Sequence, residues 1–227
     1  MECHCCKIGK YSEISEKVYK CSNCGNVFRD YRHIDLQDYY DNYYRKNFKL
    51  YPEVERRKYC TNVINFFAYS QWLPSNYTVL EVGAGDGFLS TMIKPINNNI
   101  CTAEMASGLR KKLEEQGFEA YGNFLNIEGK FDAVVAIDVL EHILNPREFY
   151  QKCLDLGVKT VVLQIPFNRG TQYNPNFDGH FHYFGLQSLE ELFEDYNLVK
   201  HRVTNRGETA RGQGLLTIFQ HPEHNIT

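Results

Sequence analysis

"VLEVGAGDGFLS", residues 79–90, decides the fold. An apolar run from Val79 to Val82 gives way to glycines at Gly83, Gly85 and Gly87, and a helical pattern resumes at Phe88. A strand that turns through glycine into a helix marks the first crossover of an open α/β sheet, where ligands sit at the carboxyl ends of the strands. A pyrophosphate loop needs G-x-G-x-x-G, and Phe88 stands where the third glycine belongs. Asp86 would also set negative charge beside the phosphates, so a dinucleotide is disfavoured. An acidic loop with a bare backbone suits a cationic or zwitterionic ligand, such as one carrying an aminocarboxypropyl tail.

Working outward, "YTVLEVG", "NICTAE", "FDAVVAID" and "KTVVLQIPF" read as strands, separated by helical patterns such as "ASGLRKKLEEQG". This alternation predicts an α/β fold with a parallel sheet covered by helices on both faces. "NLVKHRV" and "GQGLLTIFQH" follow each other without a helix, which predicts an antiparallel pair at one sheet edge. Upstream, a helix is expected from Glu53 to Trp72. Before it, "LQDYYDNYYRKNFKLY" puts positions 36, 40, 43, 44 and 47 on one helical face, an aromatic stripe for packing from which Tyr43 or Tyr44 could reach a pocket.

With these residues in place, the chain resembles the class I S-adenosylmethionine-dependent methyltransferases over about residues 50 to 220. Their E-x-G-x-G-x-G loop is matched from Glu81 to Gly87, which implies a Rossmann-like, doubly wound, mostly parallel seven-stranded sheet with an antiparallel C-terminal strand. The resemblance implies cofactor contacts from Glu81, Gly83, Ala84, Gly85 and Gly87. It also implies ribose binding by Glu104, beside Met105, and adenine contact by Asn123, beside Phe124, although the family usually has aspartate at that position. "IDVLEHILNP" resembles the D-V-L-E-H segment of a small-molecule branch and brings Asp138, Val139 and His142 to the pocket wall. His180-Phe181-His182-Tyr183-Phe184 matches that branch's H-x-x-[YF]-F segment. His180 is therefore the first candidate for general base, His182 the second, with Tyr173 and Asp178 nearby; a capping or packing role for His180 is the alternative.

Five of the eight cysteines fall in the first 24 residues. Cys3-x2-Cys6 and Cys21-x2-Cys24 have the spacing of two knuckles that give four thiolates to one zinc ion; Cys5 is spare. Four thiolates close the coordination sphere, so a Zn2+ here is structural and the chemistry lies elsewhere. The expected organisation is a zinc ribbon at 1–34, a helical aromatic-rich cover at 35–74 and a methyltransferase domain at 75–227.

The formal charge of −3 and sequence pI of about 6.2 argue against a nucleic-acid partner. "IDVLEH" is also unlike the N-P-P-Y turn of base-amine methyltransferases. No apolar run reaches membrane length, and neither a signal pattern nor a membrane span is expected, which points to the cytoplasm. The expected activity is methyl transfer from S-adenosylmethionine, yielding S-adenosylhomocysteine, to a hydroxyl of a small polar acceptor. A sugar, nucleotide-sugar or phosphorylated metabolite of surface-glycan biosynthesis fits, and Arg169, Arg206 and Arg211 could meet an anionic group on it. The alternative is a zinc-ribbon module that binds RNA or protein and carries a macromolecule-directed or inactive methyltransferase domain. Oligomeric state is not legible.

Overall fold

The computed structural model describes residues 2–30, 35–44, 52–68, 74–167, 179–205 and 213–223. Its main sheet holds β4 (Val79–Val82), β5 (Ile100–Ala103), β6 (Ala120–Tyr121), β7 (Ala133–Ile137), β8 (Thr160–Phe167), β10 (Asn197–Asn205) and β11 (Gln213–Gln220). The order is β10-β11-β8-β7-β4-β5-β6. Neighbours from β8 to β6 run parallel, whereas β11 is antiparallel to both β8 and β10. The sheet is thus seven-stranded, as the resemblance implies, and mixed, as the alternation and the helix-free C-terminal pair anticipate. β4 lies between β5 and β7, so the chain reverses its direction of travel across the sheet at the glycine loop.

The central strands are apolar on both sides because helices cover both faces. Along β4 and β7, Leu80, Val82, Val134 and Ala136 pack on one face with α4 (Pro146–Asp155) and α5 (Leu186–Leu192) through Phe149, Cys153, Leu189 and Leu192. Val79, Ala133 and Val135 alternate to the other face, where α1 (Glu53–Ala68), α2 (Phe88–Ile93) and α3 (Ser107–Glu115) supply Val63, Phe67, Leu89, Ile93 and Leu113. The helix expected to run to Trp72 is described to Ala68; residues 69–73 lie outside the described residues. No described helix is long and apolar enough to cross a membrane.

A second sheet holds β1 (Tyr11–Ser15), β2 (Val18–Cys21) and β3 (Val27–Arg29), all antiparallel. Its fourth strand, β9 (His182–Tyr183), comes from far along the chain and pairs with β3. The sheet of the cysteine ribbon is thus completed by a strand from the methyltransferase region. Arg147 at the start of α4 fastens its other side, donating to the carbonyls of His4 (3.2 Å) and Cys5 and to Glu194 (2.9 Å).

Candidate active site

Strand alternation sends Glu81 away from the loop's ligand side. It lies 4 % exposed on the α1–α3 face, where the Ser90 hydroxyl of α2 donates to its carboxylate. Burial pushes the Glu81 carboxyl up to about 8. Glu81 thus anchors α2 under the loop and does not line the cleft, in contrast to the contact role implied by the resemblance. Its folded-state value lies above the unfolded value of 4.5, so stability is lost as pH rises between the two. Glu81→Gln should abolish this decline and raise stability at pH 7 by roughly 2–3 kcal/mol, less the lost Ser90 bond, as read by thermal unfolding across pH 5–8 without cofactor.

The loop itself is shaped by close approach. Gly83 has φ +72°, and a Cβ there would lie 2.4 Å from Val139 Cγ2, so any side chain would drive the β4 and β7 ends apart. Asp86 does not present bare negative charge, as the sequence reading supposes. Arg56 of α1 binds it at 2.5 Å while its guanidinium lies 4.3 Å over the Phe88 ring.

Glu104, just past β5, is 5 % exposed and accepts backbone N–H bonds from Gly85 and Ala106, both at 2.8 Å. Burial pushes its carboxyl above the ordinary range, against the pull of those two bonds. Each oxygen retains acceptor capacity toward the cleft. That cleft is lined by Val82, Gly83, Glu104, Met105, Asn123, Phe124, Asp138, Val139 and His142, together with Tyr40, Ala103, Gly122, Leu125 and Ile143. Ala84, Gly85 and Gly87 complete the loop behind this wall. The Asn123 side-chain oxygen accepts from Leu125 N–H (3.0 Å), capping a 3-10 turn and fixing the amide at the cleft edge.

Asp138 occupies a left-handed backbone conformation, φ +56°, uncommon for a residue with a side chain. Its N–H donates to Gln164 C=O (2.8 Å) and its carboxylate accepts from Tyr59 of α1 at 3.0 Å. Gln164 in turn donates to the Tyr59 hydroxyl. Sequence patterning gives no hint of this network, because Tyr59 and Gln164 come from separate elements.

Beyond Asp138, His142 Nδ1 lies 2.7 Å from Gly179 C=O. A carbonyl only accepts, so Nδ1 carries the proton and neutral His142 keeps its lone pair on Nε2. The His142 and His180 rings meet edge to face at 4.8 Å. One ligating atom each from Glu141, His142 and His180 falls within 4.8 Å of the others. The structure thus brings His142 and His180 together. His182 is the correction: it is 1 % exposed and absent from the cleft wall, its ring bonded to Asn26 and Leu144. Burial pushes its imidazole down to about 3, leaving it neutral and structural. Tyr173, Asp178, Arg169, Arg206 and Arg211 lie outside the described residues.

The helical turn Tyr39–Tyr44, preceded by Leu36–Asp38, covers this mouth. Asp41 accepts from both N–H and hydroxyl of Ser107 at 3.0 Å, and Gln37 donates to Met105 C=O (3.3 Å). Among the described side chains, Tyr40 lines the cleft; those of Tyr43 and Tyr44 lie outside the description.

The fold that carries this site has counterparts. A family model described as "Methyltransferase domain" matches residues 52–203, more than half of the 227-residue chain. The chain belongs to that methyltransferase family. Among solved structures, its fold is similar to magnesium protoporphyrin IX methyltransferase from Synechocystis PCC 6803 with bound S-adenosylhomocysteine. That match has TM-score 0.61 and 12 % identity, covering 82 % of this chain and 98 % of the other. It is also similar to the glycopeptide N-methyltransferase MtfA with S-adenosylhomocysteine, at TM-score 0.55 and 12 % identity over 72 % of this chain and 90 % of that one. At such identities the likeness concerns the fold of the methyltransferase domain. No curated protein matches in sequence.

The ribbon cysteines gather as the spacing predicts. The sulfurs of Cys3, Cys6, Cys21 and Cys24 lie within 4.8 Å of one another, with Cys3–Cys24 and Cys6–Cys21 at 3.6 Å. Sulfurs on a tetrahedral zinc with bonds of about 2.3 Å would stand about 3.8 Å apart, so the donor set fits. Backbone N–H groups of Cys5 (3.4 Å), Gly9 (3.3 Å) and Asn23 (3.4 Å) point at three of the sulfurs, the usual outer partners of thiolates. A Cβ on Gly9 would sit 2.3 Å from Cys21 Sγ, so the knuckle leaves no room for a side chain there.

Proposed function

We propose that this protein transfers a methyl group from S-adenosylmethionine to a hydroxyl of a small polar acceptor, of the sugar, nucleotide-sugar or phosphorylated-metabolite kind, with Zn2+ held structurally by Cys3, Cys6, Cys21 and Cys24. The observation that carries the reading is the pairing of the Glu104 carboxylate, bonded to the glycine loop, with the His142 imidazole, whose Nε2 holds the lone pair, on one cleft wall. When bound, the cofactor supplies an electrophilic sulfonium methyl.

The chain's residues would divide the remaining work. Glu104 accepts the ribose hydroxyls, Asn123 and Phe124 bound the adenine, and the bare loop at Gly83 and Gly85 admits the amino-acid tail. Tyr40 and the Tyr39–Tyr44 turn exclude water. At the mouth, His142 Nε2 takes the acceptor's hydroxyl proton as the oxygen attacks the methyl in line, and His180 steadies the imidazole by ring contact. His180, first on sequence grounds, becomes the supporting member of the pair, because the bond from His142 Nδ1 to Gly179 gives His142 the defined tautomer.

Incubation with methyl-labelled cofactor and a pool of sugar phosphates and nucleotide sugars should release S-adenosylhomocysteine. His142→Ala should lower turnover by on the order of 10² to 10⁴ with S-adenosylhomocysteine affinity held within roughly twofold. Equal turnover in parent and variant at neutral pH would remove His142 as the base. Retention on heparin that weakens with salt, with no turnover on the pool, would favour the alternative nucleic-acid-binding module.

A further inference from the structure

The ribbon meets the segments that carry the two histidines along β3. β3 pairs with β9 in the register Val27 to Tyr183 and Phe28 to His182, and Arg29 N–H donates to Phe181 C=O at 2.7 Å. Phe181 N–H in turn donates to Glu141 C=O at 2.8 Å. The residue before Phe181 is His180, and the residue after Glu141 is His142. One backbone ladder therefore runs from the ribbon's third strand to the two histidines that face each other at 4.8 Å.

A side-chain bridge runs beside it. Asn26 Nδ2, which can only donate, bonds His182 Nδ1 at 3.1 Å, so His182 Nε2 carries the proton it gives to Leu144 C=O at 3.1 Å. The same Asn26 amide donates to the Tyr11 hydroxyl (2.9 Å), which lies 3.4 Å from Cys3 Sγ. His182 also stacks on Phe184 at 5.2 Å and lies 5.0 Å from the Phe28 ring. Arg147, two residues past the end of the 140–145 segment, grips the carbonyls of His4 and Cys5 from the other side. The 140–145 and 179–184 segments are thus held together by a ribbon that has little core of its own apart from its cysteines.

We propose that the cysteine ribbon is a positioning brace for the methyl-transfer site: through β3, Asn26 and His182 it sets the separation of His142 and His180, so metal loss disorders the histidine pair while sparing the cofactor wall. The inference rests on the reading of the cleft as a methyl-transfer site. Gly83, Glu104 and Asn123 lie on β4, β5 and β6 connections and make none of these contacts, so the two halves of the site can be uncoupled.

The test uses the full chain with 13C-labelled histidine rings, followed by nuclear magnetic resonance, amide hydrogen exchange and titration with S-adenosylhomocysteine. Zinc is removed by a chelator in one sample; in a second, Arg147→Ala loosens the ribbon with metal content checked. Chelation should accelerate exchange at the amides of 181–183 by at least about tenfold. It should also shift or broaden the His142 and His180 ring signals and change S-adenosylhomocysteine affinity by less than about threefold, as expected for sites without shared partners. Arg147→Ala should move the same signals in the same direction with zinc retained, and Arg147→Lys, which keeps a donor, should restore them in part. If both ring signals and the 181–183 amides stay put in the chelated and Arg147→Ala samples while β1 and β2 lose protection, the brace is refuted. Should chelation unfold the whole chain, Arg147→Ala alone decides. A parent protein that never binds S-adenosylhomocysteine overturns the functional reading instead, and the ring signals still report on the brace.

Discussion

Glu104→Ala is expected to abolish measurable binding of S-adenosylhomocysteine. The buried carboxylate accepts from Gly85 and Ala106 N–H groups, so truncation releases the glycine loop and leaves one half-buried and one buried donor unpaired. In the proposed complex it also removes the partner of the ribose hydroxyls. At about 1.5 kcal/mol or more per bond to a charged group, two lost bonds come to about 3 kcal/mol, a weakening on the order of a hundredfold or greater. Glu104→Gln keeps one carbonyl acceptor and should fall between the two. Because burial raises the Glu104 carboxyl, affinity should begin to fall on acidification above the ordinary value of 4.5. Calorimetry that finds unchanged affinity in Glu104→Ala would falsify the placement of the cofactor.

Cys21→Ser should have the larger structural effect. The four sulfurs converge from two knuckles, and the ribbon around them offers little apolar burial beyond Val18, Val27 and Phe28. Structural zinc in isolated finger peptides contributes about 10–16 kcal/mol at neutral pH, and the ribbon has nothing of that size to replace it. The variant should lose stoichiometric zinc, lose amide protection across β1 to β3, and expose the buried thiols of Cys3, Cys5, Cys6 and Cys24 to an aromatic disulfide reagent. Freshly purified parent protein with an intact ribbon and no metal by elemental analysis would refute the assignment.

The sequence carried the sheet because its strands are near-continuous apolar runs closed by glycine or acid, a pattern that burial on both faces enforces. It carried the glycine loop and Glu104 because backbone shape and a charge at a strand end are local properties. It did not carry β9: two residues have no period to read, and their partner lies at 27–28. For the same reason His182 passes for a cleft residue in the sequence, since its neighbours Asn26 and Leu144 are distant along the chain. Asp86 reads as bare charge because Arg56 sits in a preceding helix, and Glu81 reads as a ligand contact because its place in the glycine motif masks the strand alternation that turns it inward.

The strand order has a consequence for synthesis. β3 leaves the ribosome early, yet its outer edge waits for residues 182–183, while β10 pairs with β11 alone among the described strands and cannot join the sheet until 213–220 emerge. A chain stalled between residues 205 and 213 would therefore display the unpaired edges of β8 and β10 at once, β3 having already met 182–183, and the arrival of 213–220 would govern whether the product escapes aggregation.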